Sequence, residues 1–245
     1  MGLPKIEYPL FEIYIKSLDK KVKFRPFLVR EEKLLLIAKE SKDIEEITLA
    51  IEQIISNCVS EEIDVSALPI FDIEMIFLKL RARSIGESVK LVFNCVNETE
   101  SEGEEPTICN HDNNYSLDLN KVLFEDPPGH DPKIMLTDTV GLRLKYPTLS
   151  MDMKVEKDDP AYVNILKTLV QNIDYIFDED SVYKPEDLTK EELLEFLQGI
   201  TIDKMALIRN FFKTSPKVVL VDEVVCEKCG FKHTIRNEDL LSFFI

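Results

Sequence analysis

The sequence predicts an α+β fold, in which an N-terminal β-hairpin and helices precede two related units of helix, strand, cysteine knuckle and strand. Three observations support this prediction. Two cysteine pairs, Cys95 with Cys109 and Cys226 with Cys229, each follow a strand-like apolar run. Each run follows a segment in which apolar residues recur at helical spacing. A Phe also lies fifteen residues beyond the second cysteine of each pair, so we expect the unit to occur twice.

The N-terminal region predicts one hairpin and two helices. Apolar and polar residues alternate over residues 10–29 around a charged turn, which is the pattern of a β-hairpin. Apolar residues then recur at helical spacing over residues 30–40 and 44–55. Cys58 follows on the apolar side of the second helix, and we interpret it as a buried small side chain without chemistry.

The first cysteine unit is predicted from a helix over residues 71–83 and a strand over residues 89–94. The residues between Cys95 and Cys109 are acidic and rich in turn formers, so we expect a solvated loop. A dense cluster of chain breakers follows at residues 125–132, and we interpret it as the boundary between the two halves of the chain. The predicted division is 1–60 for the hairpin and helical pair, 61–131 for the first unit, and 132–245 for the rest.

The second half predicts strands at residues 134–136 and 140–146, followed by helices. Pro160 suits the first turn of a helix, which we expect to run through residue 177. Thr189 with Glu192 forms a capping-box pattern before another helix. A helix over residues 202–213 and a strand over residues 218–225 then lead into the second cysteine pair.

Composition and charge favour protein partners. The chain has 245 residues with 44% hydrophobic and 31% charged residues, which is ordinary for a globular protein. Its net charge of −16 would repel nucleic acid and anionic membrane surfaces. No segment of about 18 apolar residues and no signal-type start is found, so we expect a soluble cytosolic protein. Five cysteines in such a chain favour reduced thiols or metal ligands.

The four paired cysteines match the ligand set of a structural zinc ion, which prefers four S or N ligands in a closed tetrahedron. The spacing of Cys226 and Cys229 places both sulfurs on one side of a turn, and Gly230 relaxes the backbone just beyond it. We therefore predict zinc-ribbon-like units in which one structural zinc is shared by both pairs and pins the two halves together. Unmetallated packing cysteines and mixed ligation with His111 or His233 remain alternatives, although we expect both histidines to be exposed on outgoing strands.

Patterns of enzymatic catalysis are absent from the sequence. It contains no Gly-rich phosphate loop, no nucleophile elbow and no pair of histidines at metalloprotease spacing. The Cys226–Cys229 spacing does not suit redox chemistry, because the pair follows a strand and does not open a helix. His130 lies among the chain breakers with no evident partner. We predict that the protein is not an enzyme and has no small-molecule substrate.

Three segments resemble one known family. Residues 22–41, residues 142–147, and residues 226–230 with the ending 240–244 resemble the baseplate hub subunits of T-even-type tailed phages. This resemblance implies a component or assembly factor of the central hub of a contractile tail, which binds other phage baseplate proteins. It implies assembly in the host bacterial cytoplasm, with the virion baseplate as a possible final location. The long insert after Cys95 departs from the tighter turn that the resemblance leads us to expect.

The candidate partner-binding residues are Lys23, Arg25 and Phe27 on the basic-aromatic strand, and Phe243 and Phe244 at the end. Two further function classes remain open. One is a transient chaperone for a hub or tape-measure protein that is absent from the finished virion, which the acidity suits. The other is a zinc-ribbon adaptor acting on a host complex. The charges near the second cysteine pair are too balanced to favour nucleic acid.

Overall fold

The computed structural model describes residues 6–99, 107–149 and 161–238, and it confirms the α+β class. Within these ranges the helices are α1 (Val29–Ser41), α2 (Ile44–Cys58), α3 (Ile70–Ser84), α4 (Ala161–Gln171), α5 (Lys190–Gln198) and α6 (Ile202–Thr214). The strands are β1 (Phe11–Ile15), β2 (Lys20–Phe24), β3 (Ser88–Asn94), β4 (Glu98–Thr99), β5 (Thr107–Ile108), β6 (Asp112–Asp118), β7 (Leu123–Glu125), β8 (Lys133–Met135), β9 (Gly141–Leu144), β10 (Ile173–Phe177), β11 (Val182–Tyr183), β12 (Lys217–Val225) and β13 (Lys232–Asn237).

These strands form small antiparallel sheets. The predicted N-terminal hairpin is confirmed as β1–β2, in which Phe11 lies opposite Phe24. Strands β11, β10, β9 and β8 form one sheet in that order, and β13, β12 and β7 form another. Strands β3 and β6 pair as a hairpin from Ser88 opposite Asp118 to Asn94 opposite Asp112. The pairing of β7 with β12 joins the end of the first cysteine unit to the start of the second.

A first hydrophobic core lies among the β1–β2 hairpin, α2 and α3. Helix α2 buries the apolar side chains that recur at helical spacing, and α3 is buried over most of its surface. The buried carboxylate of Asp72 on α3 accepts hydrogen bonds from the backbone N–H groups of Lys16 (2.8 Å) and Ser17 (2.9 Å). These bonds hold the hairpin turn against α3. Val218 and Leu220 of β12 also join this core.

A second core lies between the β8–β11 sheet and helices α4, α5 and α6. Its buried residues run from Ile134 to Phe211. The chain breakers at residues 125–132 therefore lie between the two cores along the chain. Strand β12 is an exception, because it follows the second core in sequence but packs in the first. Residues on both sides of position 60 share the first core. The division into 1–60, 61–131 and 132–245 stays a prediction.

The structure corrects the helix that we predicted through residue 177. Helix α4 ends at Gln171, and residues 173–177 instead form β10, which pairs with β9. The buried Asn172 marks this change. Its side-chain Nδ2 donates to the Thr168 carbonyl (2.8 Å), while its backbone carbonyl accepts from Lys145 N–H (2.8 Å). Tertiary pairing with β9 therefore overrides the helical spacing.

The capping box at Thr189 is confirmed at the start of α5. Thr189 Oγ1 accepts a hydrogen bond from the Glu192 backbone N–H, and the Glu192 carboxylate accepts one from the Thr189 backbone N–H. Of the helices within the described residues, none is long and apolar enough to cross a membrane.

Candidate metal centre

The sulfur atoms of the four predicted cysteines, Cys95, Cys109, Cys226 and Cys229, converge within 4.8 Å of one another. The two sulfur–sulfur contacts across the pairs are 3.6 Å between Cys95 and Cys229 and 3.8 Å between Cys109 and Cys226. All four thiols are free, and three of the residues are buried. The structure thus brings the two pairs, which are more than 100 residues apart in sequence, into one cluster.

The first pair is held by a compact knuckle. The backbone N–H of Cys95 donates to the His111 carbonyl (2.8 Å), and the N–H of Asn110 donates back to the Cys95 carbonyl (2.9 Å). Asn110 has a positive φ of 48°, a conformation that Asn adopts more readily than most residues. This turn directs the sulfurs of Cys95 and Cys109 to the same side.

The second pair has the same backbone arrangement. The N–H of Cys226 donates to the Phe231 carbonyl (2.9 Å), and the N–H of Gly230 donates to the Cys226 carbonyl (2.9 Å). Gly230 has a φ of 74°, the left-handed region that glycine enters without a Cβ clash. The two knuckles are therefore geometric counterparts, although one has thirteen residues between its cysteines and the other has two.

The insert of the first knuckle leaves this geometry intact because its ends pair. Residues 98–99 and 107–108 form the β4–β5 ladder, and Cys109 N–H donates to the Asn97 carbonyl (2.8 Å). We predicted a solvated loop over the whole insert, and the structure corrects this at both ends. Residues 100–106 lie outside the described residues.

The distances fit a tetrahedral thiolate site. Four sulfurs that each lie about 2.3 Å from a central zinc are about 3.8 Å apart, close to the two contacts above. A disulfide requires about 2.05 Å between sulfurs, so the same distances describe four separate thiols. The four cysteines could hold a metal ion.

The environment favours the thiolate form of Cys226 more than that of Cys95 or Cys109. Burial acts to raise the pKa of Cys226, but the backbone N–H groups of Cys229 and Lys228 and the Asn113 amide outweigh it and lower this pKa to about 6. Burial raises the pKa of Cys95 to about 12 and also raises that of Cys109. A cation at the centre of the cluster would favour the thiolate form of all four cysteines.

The cysteines form a buried cluster of their own, separate from the two hydrophobic cores. Around them, β3 alternates exposed and half-buried residues, and the β3–β6 pair is a two-stranded hairpin. Leu117 of β6 joins the first hydrophobic core, whereas the cysteine end of the hairpin lies in its own cluster. A metal ion shared by the two knuckles would link this hairpin to β12–β13.

A sequence model of the family described as T4 bacteriophage base plate protein matches residues 8–245. The chain belongs to this family. Membership supports a structural or assembly role in the phage baseplate, and it agrees with the sequence resemblance at the level of a T4-type baseplate protein. Comparisons with curated proteins and with solved structures find no match.

The predicted partner-binding residues of the baseplate protein differ in their exposure. Lys23 is exposed on β2, whereas the guanidinium of Arg25 contacts the buried Glu31 carboxylate at 3.0 Å. Phe27 is half-buried and packs on Phe77, with ring centroids 5.7 Å apart. The predicted residues Phe243 and Phe244 lie outside the described residues.

Glu31 explains why Arg25 is directed into the fold. Its carboxylate also accepts hydrogen bonds from Arg30 Nε (2.7 Å) and from the Leu28 backbone N–H (2.8 Å). Burial acts to raise the pKa of Glu31, but hydrogen bonds from Arg25, Arg30 and Leu28 outweigh it and lower this pKa to about 2. Cys58 is buried as predicted, and burial raises its pKa to about 11.

Two interpretations of histidines were wrong. His233 is 8% exposed, and its Nε2 lies 3.1 Å from Cys95 Sγ, so it is not a solvated residue on the outgoing strand. His130 does have partners, since its Nδ1 lies 3.0 Å from Thr214 Oγ1 and its Nε2 lies 3.0 Å from Tyr146 OH. The sequence analysis also missed Asn113, which is buried beside Cys226 and occupies the same position in the first knuckle as His233 in the second.

Proposed function

We propose that the protein is a non-enzymatic component or assembly factor of the central hub of a contractile-tail phage baseplate. The observation that carries this proposal is the family match over residues 8–245. The net charge of −16 supports action through protein contacts, since it disfavours binding to nucleic acid. Assembly takes place in the host bacterial cytoplasm, and the partners are other baseplate proteins. Of Lys23, Arg25 and Phe27, only Lys23 lies on β2, and it is the proposed contact because it is exposed, whereas Arg25 and Phe27 pack within the fold.

The cysteine centre is proposed to bind one structural zinc ion. Four cysteine sulfurs complete a tetrahedron and leave no open position for water or substrate, which is the arrangement of structural sites. When bound, zinc supplies a rigid link between the knuckles of two zinc-ribbon-like units. Stiff hairpins of this kind suit a protein that must present fixed surfaces to neighbouring subunits.

Limited proteolysis tests the shared link. Cys226→Ser removes one ligand from the second knuckle, and we expect faster cleavage in both the β3–β6 and β12–β13 hairpins. Cys58→Ala removes a buried thiol outside the cluster and should leave the cleavage of both hairpins unchanged. Faster cleavage confined to β12–β13 would show that the two knuckles are independent.

Deletion of the gene in the encoding phage, followed by electron microscopy of lysates, tests the role in the baseplate. We expect tails and baseplates to be missing or to lack the hub, and complementation with the wild-type gene to restore them. Complementation by Cys58→Ala but not by Cys226→Ser would connect the metal centre to assembly. Normal tails in the deletion strain would contradict the proposed role.

The acidity of the chain also suits a transient chaperone for a hub or tape-measure protein. Quantitative mass spectrometry of purified particles separates the two roles. A fixed ratio of this chain to known baseplate subunits supports a hub component. Its absence from particles, together with a requirement for it during assembly, supports the chaperone.

A further inference from the structure

Asn113 and His233 occupy matching positions in the two cysteine units. Each lies four residues after the second cysteine of its knuckle, on the outgoing strand β6 or β13. Each is also opposite the residue two positions before the first cysteine, since Asn113 pairs with Phe93 and His233 pairs with Val224. Both side chains are buried, with 1% and 8% exposed.

Each of these side chains contacts the knuckle of the other unit. The Asn113 amide Nδ2 donates towards Cys226 Sγ at 3.6 Å, and His233 Nε2 lies 3.1 Å from Cys95 Sγ. Each contact therefore crosses from one hairpin to the first cysteine of the opposite knuckle. Hydrogen bonds of this geometry can form only when both hairpins are docked together.

The orientation of the Asn113 amide is set by its other partners. Its Oδ1 accepts the backbone N–H of Glu227 (2.8 Å), next to Cys226, while Nδ2 also donates to the His111 carbonyl (3.0 Å). Exchange of the amide oxygen and nitrogen would place two acceptors against each other at His111 and two donors against each other at Glu227. The Nδ2 group must therefore face the Cys226 sulfur.

The His233 ring is held by aromatic neighbours. Its centroid lies 4.8 Å from that of Phe93, on the other hairpin, and 4.7 Å from that of Phe231. A metal-bound thiolate can only accept a hydrogen bond, so contact with Cys95 requires a proton on His233 Nε2. This requirement holds whether the ring is neutral or charged.

We propose that Asn113 and His233 are a matched pair of positioning residues for the metal centre, each donating an N–H to the first cysteine of the opposite knuckle. The inference rests on the proposed metal centre and deepens it. Four thiolates around one divalent ion carry a net charge of −2, and buried N–H donors stabilise that charge. Partners of metal ligands orient those ligands and tune affinity in the same way.

Metal titration of the full-length chain tests the proposal, with Co²⁺ as the spectroscopic probe and Zn²⁺ in competition with a chelator. His233→Leu and Asn113→Leu remove one donor each, and we expect each to weaken zinc affinity by about 10- to 100-fold. His233→Gln keeps an N–H group near the position of Nε2 and should recover most of the affinity. Asn114→Leu, at the exposed neighbour of Asn113 on β6, is the matched control, for which we expect wild-type affinity.

The Co²⁺ spectrum separates positioning from a general loss of structure. Both Leu variants should keep the four-thiolate spectrum, with the sulfur-to-metal charge-transfer band shifted to lower energy by loss of the N–H donor. Where a Leu variant does not fold by circular dichroism, His233→Ala and Asn113→Ala provide the same comparison.

Three results would overturn the proposal. Unchanged affinity and spectrum in both Leu variants, while the wild type binds metal, would defeat this inference alone. A spectrum that changes ligand number or type in His233→Leu would make His233 a ligand and not a donor. No metal binding by the wild-type chain would defeat the proposed centre and this inference together.

Discussion

Asn110 and Gly230 are equivalent residues of the two knuckles. Each directly follows the second cysteine of its pair, has a positive φ, and donates its N–H to the carbonyl of the first cysteine at 2.9 Å. The equivalence holds even though an acidic insert separates the cysteines of the first knuckle. The backbone turn, and not the cysteine spacing, is the feature that the two units share.

This equivalence predicts which substitutions the second knuckle tolerates. Gly230→Asn should cost less than about 1 kcal/mol of unfolding free energy, because Asn enters the left-handed region in the first knuckle. Gly230→Val should cost about 2 kcal/mol, since a β-branched side chain is strained there even with open space around it. Denaturant unfolding of both zinc-loaded variants checks this. Equal costs would mean that backbone conformation at Gly230 does not limit the turn.

Much of the fold was predictable because its patterns are local. Helix α2 follows from apolar spacing, and α5 follows from the capping box at Thr189. The predicted helix failed beyond Gln171 because β10 depends on pairing with β9, a contact between distant segments that periodicity does not report.

The candidate site was predictable only in part, because some of its residues are identified by local sequence and others only by contacts between distant segments. Residue type and context identify the four cysteines, but Asn113 resembles any polar residue on a half-exposed strand. Only the crossing of two hairpins places its amide at Cys226. Its position four residues after Cys109, matching that of His233 after Cys229, was the available signal.

The buried carboxylate of Glu31 should stabilise the N-terminal region. Glu31→Gln leaves the buried part of Arg25 without its counter-charge, and we expect a loss of about 2–4 kcal/mol in unfolding free energy at neutral pH. The exposed neighbour provides the control, since Glu32→Gln should change stability by less than about 0.5 kcal/mol.

The effect of Glu31 should also depend on pH. Its pKa is lowered from 4.5 to about 2, so its stabilisation is complete above pH 4.5 and is lost as the pH falls towards 2. The stability difference between wild type and Glu31→Gln should shrink across that range. A constant difference would contradict the role of the ionised carboxylate.

His130 should make stability sensitive to mild acid. Thr214 Oγ1 donates to the Asn210 carbonyl (2.8 Å), so its oxygen accepts from His130 Nδ1. Tyr146 OH lies 3.0 Å from Nε2, where it can donate to the neutral ring. Burial lowers its pKa below 6.5, although Asp126 and Asp131 oppose the shift.

The direction of the pH dependence of stability follows from the lowered pKa of His130. Below pH 6.5 the unfolded chain binds a proton at His130 before the folded chain does, so stability falls as the pH drops. Between pH 7.5 and 5.5, wild type should lose more unfolding free energy than His130→Gln. The comparison between variants cancels the common effect of acid on metal ligands. Identical losses in the two proteins would contradict the assignment.

The most direct test of the shared centre is the zinc content of the purified protein by elemental analysis, together with Cys109→Ser, Cys226→Ser and Cys58→Ala. We expect about one zinc per chain in wild type and in Cys58→Ala, and loss of zinc in both Ser variants. Each Ser substitution removes a ligand from a different knuckle, so loss in both shows that one ion bridges the two. Absence of zinc from the wild type, or its retention in Cys109→Ser, would contradict the shared four-cysteine centre.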